Sequence, residues 1–499
     1  MKLEFHGHDE RYTVEQSLLN LFPGELPVYE PVRPVREENW AIVTWREDER
    51  RGHACVELCW QGEMIPSSFG VPLEGRTPYE REGQRRYAIG AAFFRAYQAL
   101  TSGQPPWGML TGVRPDKLVT EALTAGKTLG AARELLEKIY YVTPRRAALA
   151  LETGTAAFEA AKGLGPRDIA VYIGVPFCPT RCAYCSFVSQ SVEKSFSLVE
   201  PYVEALAAEI EAGGRMVRET GLSVRALYMG GGTPTTLTAS QLDRVLSAFE
   251  AAFGPALDGC REITVEAGRP DTITAEKLAV LKAHGVHRVS VNPQTMEEHV
   301  LRAIGRRHSP GDIQRAMELV AKAGFRHVNM DLIAGLPEDT AEGFRRSLDR
   351  CVSFGTDNVT VHTLALKKGS RILLEGLSIP GPEAVGEMLD YAEPALRKAG
   401  YDPYYLYRQK YMSGSFENIG WTRPGGACLY NIYIMSELCS ILSFGAGGST
   451  KMVDSSRRQI QRRFNPKYPK EYTERPEKTL ANQADFATFY RQGSAGEPI

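Results

Sequence analysis

Long hydrophobic runs are missing from this 499-residue chain: none approaches the roughly 18 apolar residues that a membrane-spanning helix needs. An excess of one charge is missing as well. Lys and Arg number 59 against 60 Asp and Glu, a net charge of −1, which removes the electrostatic case for a nucleic-acid partner. Nine cysteines are too few for a disulfide framework in a chain of this length, so a reduced, cytoplasmic setting is expected. Met1-Lys-Leu-Glu-Phe-His-Gly-His8 shows no apolar segment behind a basic start, as a secretory signal would. Most cysteines, Cys55, Cys59, Cys428 and Cys439 among them, are scattered and read as small buried hydrophobes. Three are not.

Cys178-Pro-Thr-Arg-Cys182-Ala-Tyr-Cys185 gathers three thiols directly after an apolar, β-branched run. Soft thiolates packed into one loop suit zinc or an iron–sulfur cluster. A structural zinc site wants a fourth protein ligand, and His284 and His287 lie about 100 residues away. On a four-iron cube, three thiolates leave one iron open for chemistry. With Tyr184 just before the third cysteine, the segment resembles the CxxxCxΦC loop of radical S-adenosylmethionine enzymes. Cys178, Cys182 and Cys185 are then the expected metal ligands.

From the loop onward a βα rhythm repeats six times. Strands are expected at Ile169–Gly174, Arg225–Met229, Glu262–Glu266, Arg288–Asn292, His327–Ile333 and Asn358–Thr363. Helices are expected at Pro201–Arg215, Ser240–Phe253, Ala275–His284, Asp312–Ala323 and Ala341–Ser353. Thr238, Thr274 and Thr340 are N-cap candidates, and Gly285, Gly324 and Gly355 C-cap candidates. The pattern predicts an α/β fold: a partial (β/α)6 barrel, with ligands at the carboxyl ends of its strands.

The unusual residues fall where that rule puts them. Gly230-Gly-Gly-Thr-Pro234 follows the second strand and resembles the GGE-type motif that holds the amino group of S-adenosylmethionine. Glu266 ends the third strand, Gln294 follows the fourth, Asp331 sits late in the fifth and His362 ends the sixth. An Asp inside the apolar run Val328–Leu336 is costly to bury without a partner, which favours a functional role. Asp331 and Glu266 suit ribose hydroxyls or an ammonium, and Arg306 is a fixed fork suited to a carboxylate.

Tyr172-Ile-Gly-Val-Pro-Phe-Cys178, Gly230-Gly-Gly-Thr-Pro-Thr235, Val265-Glu266, Pro293-Gln294, Arg306 and Asp331-Leu-Ile-Ala-Gly-Leu-Pro337 together resemble the oxygen-independent coproporphyrinogen III oxidases. Leu110-Thr-Gly-Val-Arg-Pro115 and Tyr407-Arg-Gln-Lys-Tyr411 narrow the likeness to the HemZ-type, coproporphyrinogen dehydrogenase-like subgroup. The resemblance implies a [4Fe–4S] cluster and S-adenosylmethionine as cofactors, with Tyr172, Tyr184, Gly231 and Glu266 around the cluster-bound molecule. Gly232, Thr233, Gln294, Arg306, Asp331 and Ala365 fall on positions that hold a second molecule in the oxidase. It further implies a cytoplasmic oxidoreductase of heme biosynthesis, converting coproporphyrinogen III to protoporphyrinogen IX. A flavodoxin or ferredoxin would donate the electrons. Two departures bear on the substrate. Phe187 replaces an extra cysteine, a loss shared with heme-chaperone relatives, and Gly174 replaces a usual histidine. The alternative is therefore a heme-binding chaperone with the same cofactors. No catalytic side chain is assigned.

Residues 1–165 are expected to form an α+β accessory domain, with paired strands Ala41–Trp45 and Ala54–Trp60 across Glu47–Gly52. Residues 166–375 would be the barrel and 376–465 an α/β extension on the substrate side. The charged, proline-dotted residues 466–499 would be poorly ordered. In the extension, Tyr404, Tyr405, Tyr407 and Tyr411 interleave with Arg408 and Lys410, a candidate wall for a flat ring with a carboxylate rim. Gly445-Ala-Gly-Gly-Ser449 is read as a turn that could close over the cofactor.

Overall fold

The computed structural model describes residues 1–22, 24–101, 103–185, 189–366, 369–409, 416–454 and 460–492. The chain forms two compact units, Met1–Leu151 and Glu152–Ile499. The division falls within the helix Pro144–Ala161, which precedes the Gly165-Pro166 linker.

In the first unit, β1 (Lys2–His6), β2 (Trp40–Glu47), β3 (Arg51–Trp60) and β4 (Glu63–Pro72) form one sheet in that order. β2 and β3 pair antiparallel as the alternating pattern predicts, with Trp45 opposite Ala54. The helix Pro78–Leu100 starts at a capping box, Thr77 with Glu80, and has a proline at its first position. Val14, Leu18, Trp45, Val56, Phe93 and Phe94 are buried in the common core of sheet and helices.

The second unit holds β5 (Asp168–Val175), the short pair β6 (Phe177–Cys178) and β7 (Gln190–Ser191), then β8 (Ser223–Gly231), β9 (Glu262–Gly268), β10 (Arg288–Gln294), β11 (His327–Ala334) and β12 (Asn358–Thr363). Apart from β6 and β7, these are six parallel strands in the order β5-β8-β9-β10-β11-β12, each lying where the sequence predicts one. The side chains of Thr238, Thr274 and Thr340 cap the next helices, accepting from the N–H groups of Gln241, Lys277 and Gly343. Gly324 caps its helix at φ +65. Such a left-handed position costs glycine nothing.

After β12 the chain adds β13 (Asp402–Tyr407), β14 (Asn418–Thr422), β15 (Ser440–Phe444), β16 (Ser449–Val453) and β17 (Ile460–Phe464). These extend both edges of the sheet. β14 pairs antiparallel with β12 and carries β13 outside it; β15 runs parallel to β5 and carries β16 and β17.

Two expectations are corrected here. The segment after Pro466 is not poorly ordered over its described length: Pro469–Glu474 and Pro476–Gln492 are helices, with Tyr472 and Phe486 buried. Their prolines stand at the first helical position, where a missing N–H costs nothing, and so mark starts rather than breaks. The Gly445–Ser449 turn is not poised to close. Gly445 N–H donates to Glu209 at 2.7 Å and Ala446 N–H to the Tyr202 hydroxyl at 3.0 Å, both on the helix Val199–Glu219. The same crowding accounts for Gly174, where a Cβ would stand 3.3 Å from Phe444 O and 3.3 Å from the Tyr172 ring.

Candidate functional site: a thiol loop at the carboxyl ends of the strands

β5 ends at Val175, and Pro176-Phe177 leads straight into the cysteine loop. Other strand ends and their loops hold that loop in place. Ala183 N–H donates to Ile304 O at 2.9 Å, and the Thr180 hydroxyl donates to Gly305 O at 3.0 Å. Arg269, just past β9, donates to Thr180 O at 3.2 Å while its other nitrogens grip Asp271 at 2.9 and 3.1 Å. Sequence reasoning missed this brace. Its signal was Arg269-Pro-Asp271 in a βα loop, at the productive end of a strand.

Cys182 is buried, and Cys178 and Cys185 are partly so. Burial pushes the Cys178 thiol up to about 11, against a hydrogen bond from the Thr233 hydroxyl 3.6 Å away. A metal-bound thiolate reverses that preference, because the cation favours the deprotonated form. Among the described residues no three His, Cys, Asp or Glu side chains are grouped to hold a single metal ion. One zinc would draw its thiolates to within about 4 Å of one another, given bonds of about 2.3 Å. A cube takes each thiolate on a different iron and needs no such convergence.

The glycines serve the loop first. Gly232 N–H donates to Val175 O and Thr233 N–H to Phe177 O, both at 2.7 Å. A Cβ on Gly232 would lie 2.5 Å from Phe177 O, and Gly231 sits at φ +110. Side chains at either position would push the end of β8 off the cysteine loop.

Inside the barrel the predicted residues converge. Glu266 accepts from the Tyr228 hydroxyl at 2.6 Å. Burial, with Asp331 nearby, raises its carboxyl to about 7. Asp331 accepts from the Asn329 amide at 2.7 Å and faces His362 at 3.7 Å. Arg306 donates to Asn292 O and, at 2.9 Å, to the Tyr184 hydroxyl, so it braces the loop tyrosine. Gln294 is buried in the left-handed region at φ +71, and its Oε1 has no hydrogen-bond partner. A buried amide oxygen left unpaired on a strained backbone marks a place for a ligand donor. Ala365, half-buried, lies two residues past the end of β12.

Tyr172 on β5 stacks near Tyr228 and Tyr430, with centroids 6.4 and 6.3 Å away. Tyr228 and Tyr430 are 4.7 Å apart. Neither was singled out from the sequence. Tyr228 was accessible, since it pairs in register with Tyr172. Of the aromatic stripe, Tyr405 and Tyr407 stack at 6.3 Å and 8°, and the Tyr407 hydroxyl reaches His362 Nδ1 at 3.4 Å. Arg408 is 8% exposed, and burial lowers its guanidinium to about 10. Lys410, Tyr411 and Phe187 lie outside the described residues.

Comparisons agree with this geometry. The Radical SAM superfamily profile matches residues 172–351. The chain is 38% identical to the oxygen-independent coproporphyrinogen-III oxidase-like protein HemZ of Bacillus subtilis, over 80% of each chain. It is 32% identical to the heme chaperone HemW of Mycobacterium tuberculosis, over 54% of this chain and 67% of the other. The coproporphyrinogen III oxidase HemN of Escherichia coli shares the fold, with a TM-score of 0.52 and 23% identity over 66% of this chain and 73% of that one. The superfamily's cofactors are a [4Fe–4S] cluster and S-adenosylmethionine, and the thiol loop, the glycine turn and the unpaired Gln294 suit them. No helix among the described residues is long and apolar enough to cross a membrane. The chain belongs to the radical S-adenosylmethionine superfamily, in the family of HemZ, the oxygen-independent coproporphyrinogen-III oxidase-like proteins.

Proposed function

We propose that this protein oxidatively decarboxylates the propionate side chains of coproporphyrinogen III, giving the vinyl groups of protoporphyrinogen IX and CO2. The observation that carries the reading is an aromatic wall continuous with the cofactor carboxylates. Tyr405 and Tyr407 stack beside His362, His362 faces Asp331, and Asp331 bears on Glu266. Tyr405 is packed in the core, so a flat, mostly apolar ring would meet the partly exposed Tyr407 and His362. When bound, the cluster and S-adenosylmethionine would supply the radical chemistry: net, S-adenosylmethionine would be cleaved to methionine and 5′-deoxyadenosine, taking up the propionate hydrogen atom and the one electron released as the vinyl group and CO2 form.

The chain's own residues bind and orient. Cys178, Cys182 and Cys185 would hold the cluster, and Glu266 and Asp331 would accept hydrogen bonds from ammonium or ribose hydroxyls. Gln294 offers its unpaired oxygen to a ligand donor. Arg408, buried near Glu417, is the cation offered to a rim carboxylate. Tyr184, Arg306, Gly231, Gly232, Thr233 and Tyr172 hold the loop and strand ends in register around that space.

Anaerobic incubation with coproporphyrinogen III, S-adenosylmethionine and dithionite should yield protoporphyrinogen and CO2 together with 5′-deoxyadenosine. A second reading, a heme carrier, rests on Phe187 in place of the oxidases' extra cysteine and on the likeness to heme chaperones. Stoichiometric heme binding, with coproporphyrinogen left unchanged while 5′-deoxyadenosine forms, would replace the first reading with the second.

A further inference from the structure

The three cysteines are not anchored alike. Around Cys182 and Cys185 the loop is held through Thr180, Ala183 and Tyr184, which bond to Gly305, Ile304 and Arg306. The arm carrying Cys178 is held through its neighbour Phe177. Phe177 O accepts from Thr233 N–H at 2.7 Å, and its buried ring packs edge-on against Tyr202, with centroids 5.3 Å apart at 88°. Tyr202, on the helix Val199–Glu219, lies in turn 5.1 Å from Tyr472 on the C-terminal helix Pro469–Glu474. An aromatic ladder thus runs from the C-terminal segment to the residue before the first cysteine.

A polar network runs beside the ladder. The Tyr202 hydroxyl donates to Gly174 O at 2.6 Å, near the end of β5, and accepts from Ala446 N–H. Glu209, on the same helix, accepts from the Tyr472 hydroxyl at 2.6 Å and the Asn465 amide at 2.8 Å as well as from Gly445 N–H. Asn482 and Gln483, on the helix Pro476–Gln492, donate to Asn465 Oδ1 at 2.9 Å and to Glu209 O at 3.0 Å. All of these residues are buried, so each bond lost strands a partner. Apolar packing alone tolerates several arrangements of two helices, whereas a satisfied network of directional bonds specifies one.

We propose that Tyr202 and Tyr472 are positioning residues for the cluster: through them the C-terminal helices fix Phe177, and with it the approach of Cys178 to its iron. Neither tyrosine touches a thiol. They act through Phe177 and Gly174, which flank Val175-Pro176 at the entry to the loop. Partners one step behind a metal ligand set how firmly and in what orientation it binds. The inference rests on the superfamily's cluster and is independent of whether a porphyrinogen or a heme is bound. The segment that composition alone marks as loose is thereby part of the site.

The test uses full-length holoprotein prepared without oxygen. Iron release to a ferrous-iron chelator is timed after dithionite reduction, and the EPR signal of the reduced cluster is recorded. Tyr472→Ala should release iron about tenfold faster and broaden the signal, whereas Tyr472→Phe, which keeps the ring, should release it about two- to threefold faster. The comparison is Leu348→Ala, which opens a cavity under the helix Ala341–Ser353, away from Phe177, and also lowers stability in urea unfolding. It should release iron within about twofold of the unmutated rate and keep its EPR signal. Equal rates in Tyr472→Ala and Leu348→Ala, or an unaltered signal in Tyr472→Ala, would overturn the proposal and leave the C-terminal helices a stabilising element only. If Tyr472→Ala does not fold, Tyr202→Phe decides by the same comparison. It keeps both ring contacts, loses only the bonds to Gly174 and Ala446, and should release iron about fivefold faster. A rate no faster than that of Leu348→Ala would overturn the proposal equally.

Discussion

Strand β9 carries a glutamate near each end, and the two have opposite surroundings. Glu262, at the first residue, is 5% exposed and fully engaged. It meets Arg288 Nη2 at 3.2 Å, Cys428 Sγ at 3.0 Å, Leu429 N–H at 3.3 Å and the Thr264 hydroxyl at 3.2 Å. Arg288 goes on to Asn358, at the start of β12, so the floor of the barrel is a polar plug, with Arg288 Nε left without a partner. Glu266, four residues on, has one tyrosine hydroxyl and the Gly231 N–H, and faces the carboxylate of Asp331. One strand thus shows a polar group spent on the fold and another held in reserve for a ligand. Native interiors pair most of their buried polar atoms, so at the carboxyl ends of the strands those that stay unpaired or mutually repelling suit a ligand. That separation falls along the strand direction, with structure at the amino ends and chemistry at the carboxyl ends.

The largest effect should come from the chemical end. Cys182→Ala should lower iron from about four atoms per chain to well under one and abolish 5′-deoxyadenosine formation. Its circular dichroism should stay that of the folded protein, because the loop is also held through Ile304, Gly305 and Arg269. Retention of iron and sulfide would remove Cys182 from the ligand set. At the structural end, Arg288→Met leaves Glu262 buried without its cation and should cost about 3–5 kcal/mol in urea unfolding. The double change Glu262→Gln with Arg288→Met should recover part of that loss. If Arg288→Met cost under about 1 kcal/mol, the plug would not be a structural element.

Most of the chemical end was legible in the sequence, and most of the structural end was not. Cysteine spacing, the glycine triplet and the strand–helix rhythm are local signals, and local signals survive in a linear chain. The floor joins Glu262, Arg288, Asn358 and Cys428, which lie far apart in sequence and share no motif. Cys428 accordingly read as a scattered buried thiol, which is correct about its burial and silent about Glu262. The two C-terminal helices were hidden because prolines at helix starts look like breaks and because their buried residues are spread thinly among charges. The cofactor side of Gln294 was visible, but its backbone conformation was not: only the fold shows that a non-glycine residue sits at φ +71.

That conformation sharpens the comparison. At a structural position, removing a buried side chain destabilises the protein. At Gln294, a glycine would relieve about 1–3 kcal/mol of left-handed strain against up to about 1 kcal/mol of added freedom in the unfolded chain. Gln294→Gly should therefore be as stable as the unmutated protein or slightly more so. It should bind S-adenosylmethionine about tenfold more weakly, as expected for one lost hydrogen bond of about 1–1.5 kcal/mol. A loss of more than about 2 kcal/mol of stability would move Gln294 to the structural class.

The last effect is the pH dependence of Glu266. Folding raises the Glu266 carboxyl to about 7, above the roughly 4.3 of an unfolded chain. Between those values the folded apoprotein holds a proton that the unfolded chain has released. Its contribution to stability is complete below about pH 4.3 and is lost as pH rises to about 7. Glu266→Gln should flatten that part of the profile in urea unfolding at stepped pH. The buried Glu209, also raised to about 7, contributes a similar slope, so the difference between the two proteins is the quantity to read. Cofactor binding should run the opposite way. A carboxylate attracts the ammonium of S-adenosylmethionine and a neutral acid does not, so affinity should climb across the window in which stability declines. Glu262→Gln breaks the plug instead, lowering stability at every pH and leaving the pH dependence of cofactor affinity in place. Parallel stability profiles for the unmutated protein and Glu266→Gln would mean that Glu266 is already ionised in the empty site, and that the two ends of β9 differ less than their partners indicate.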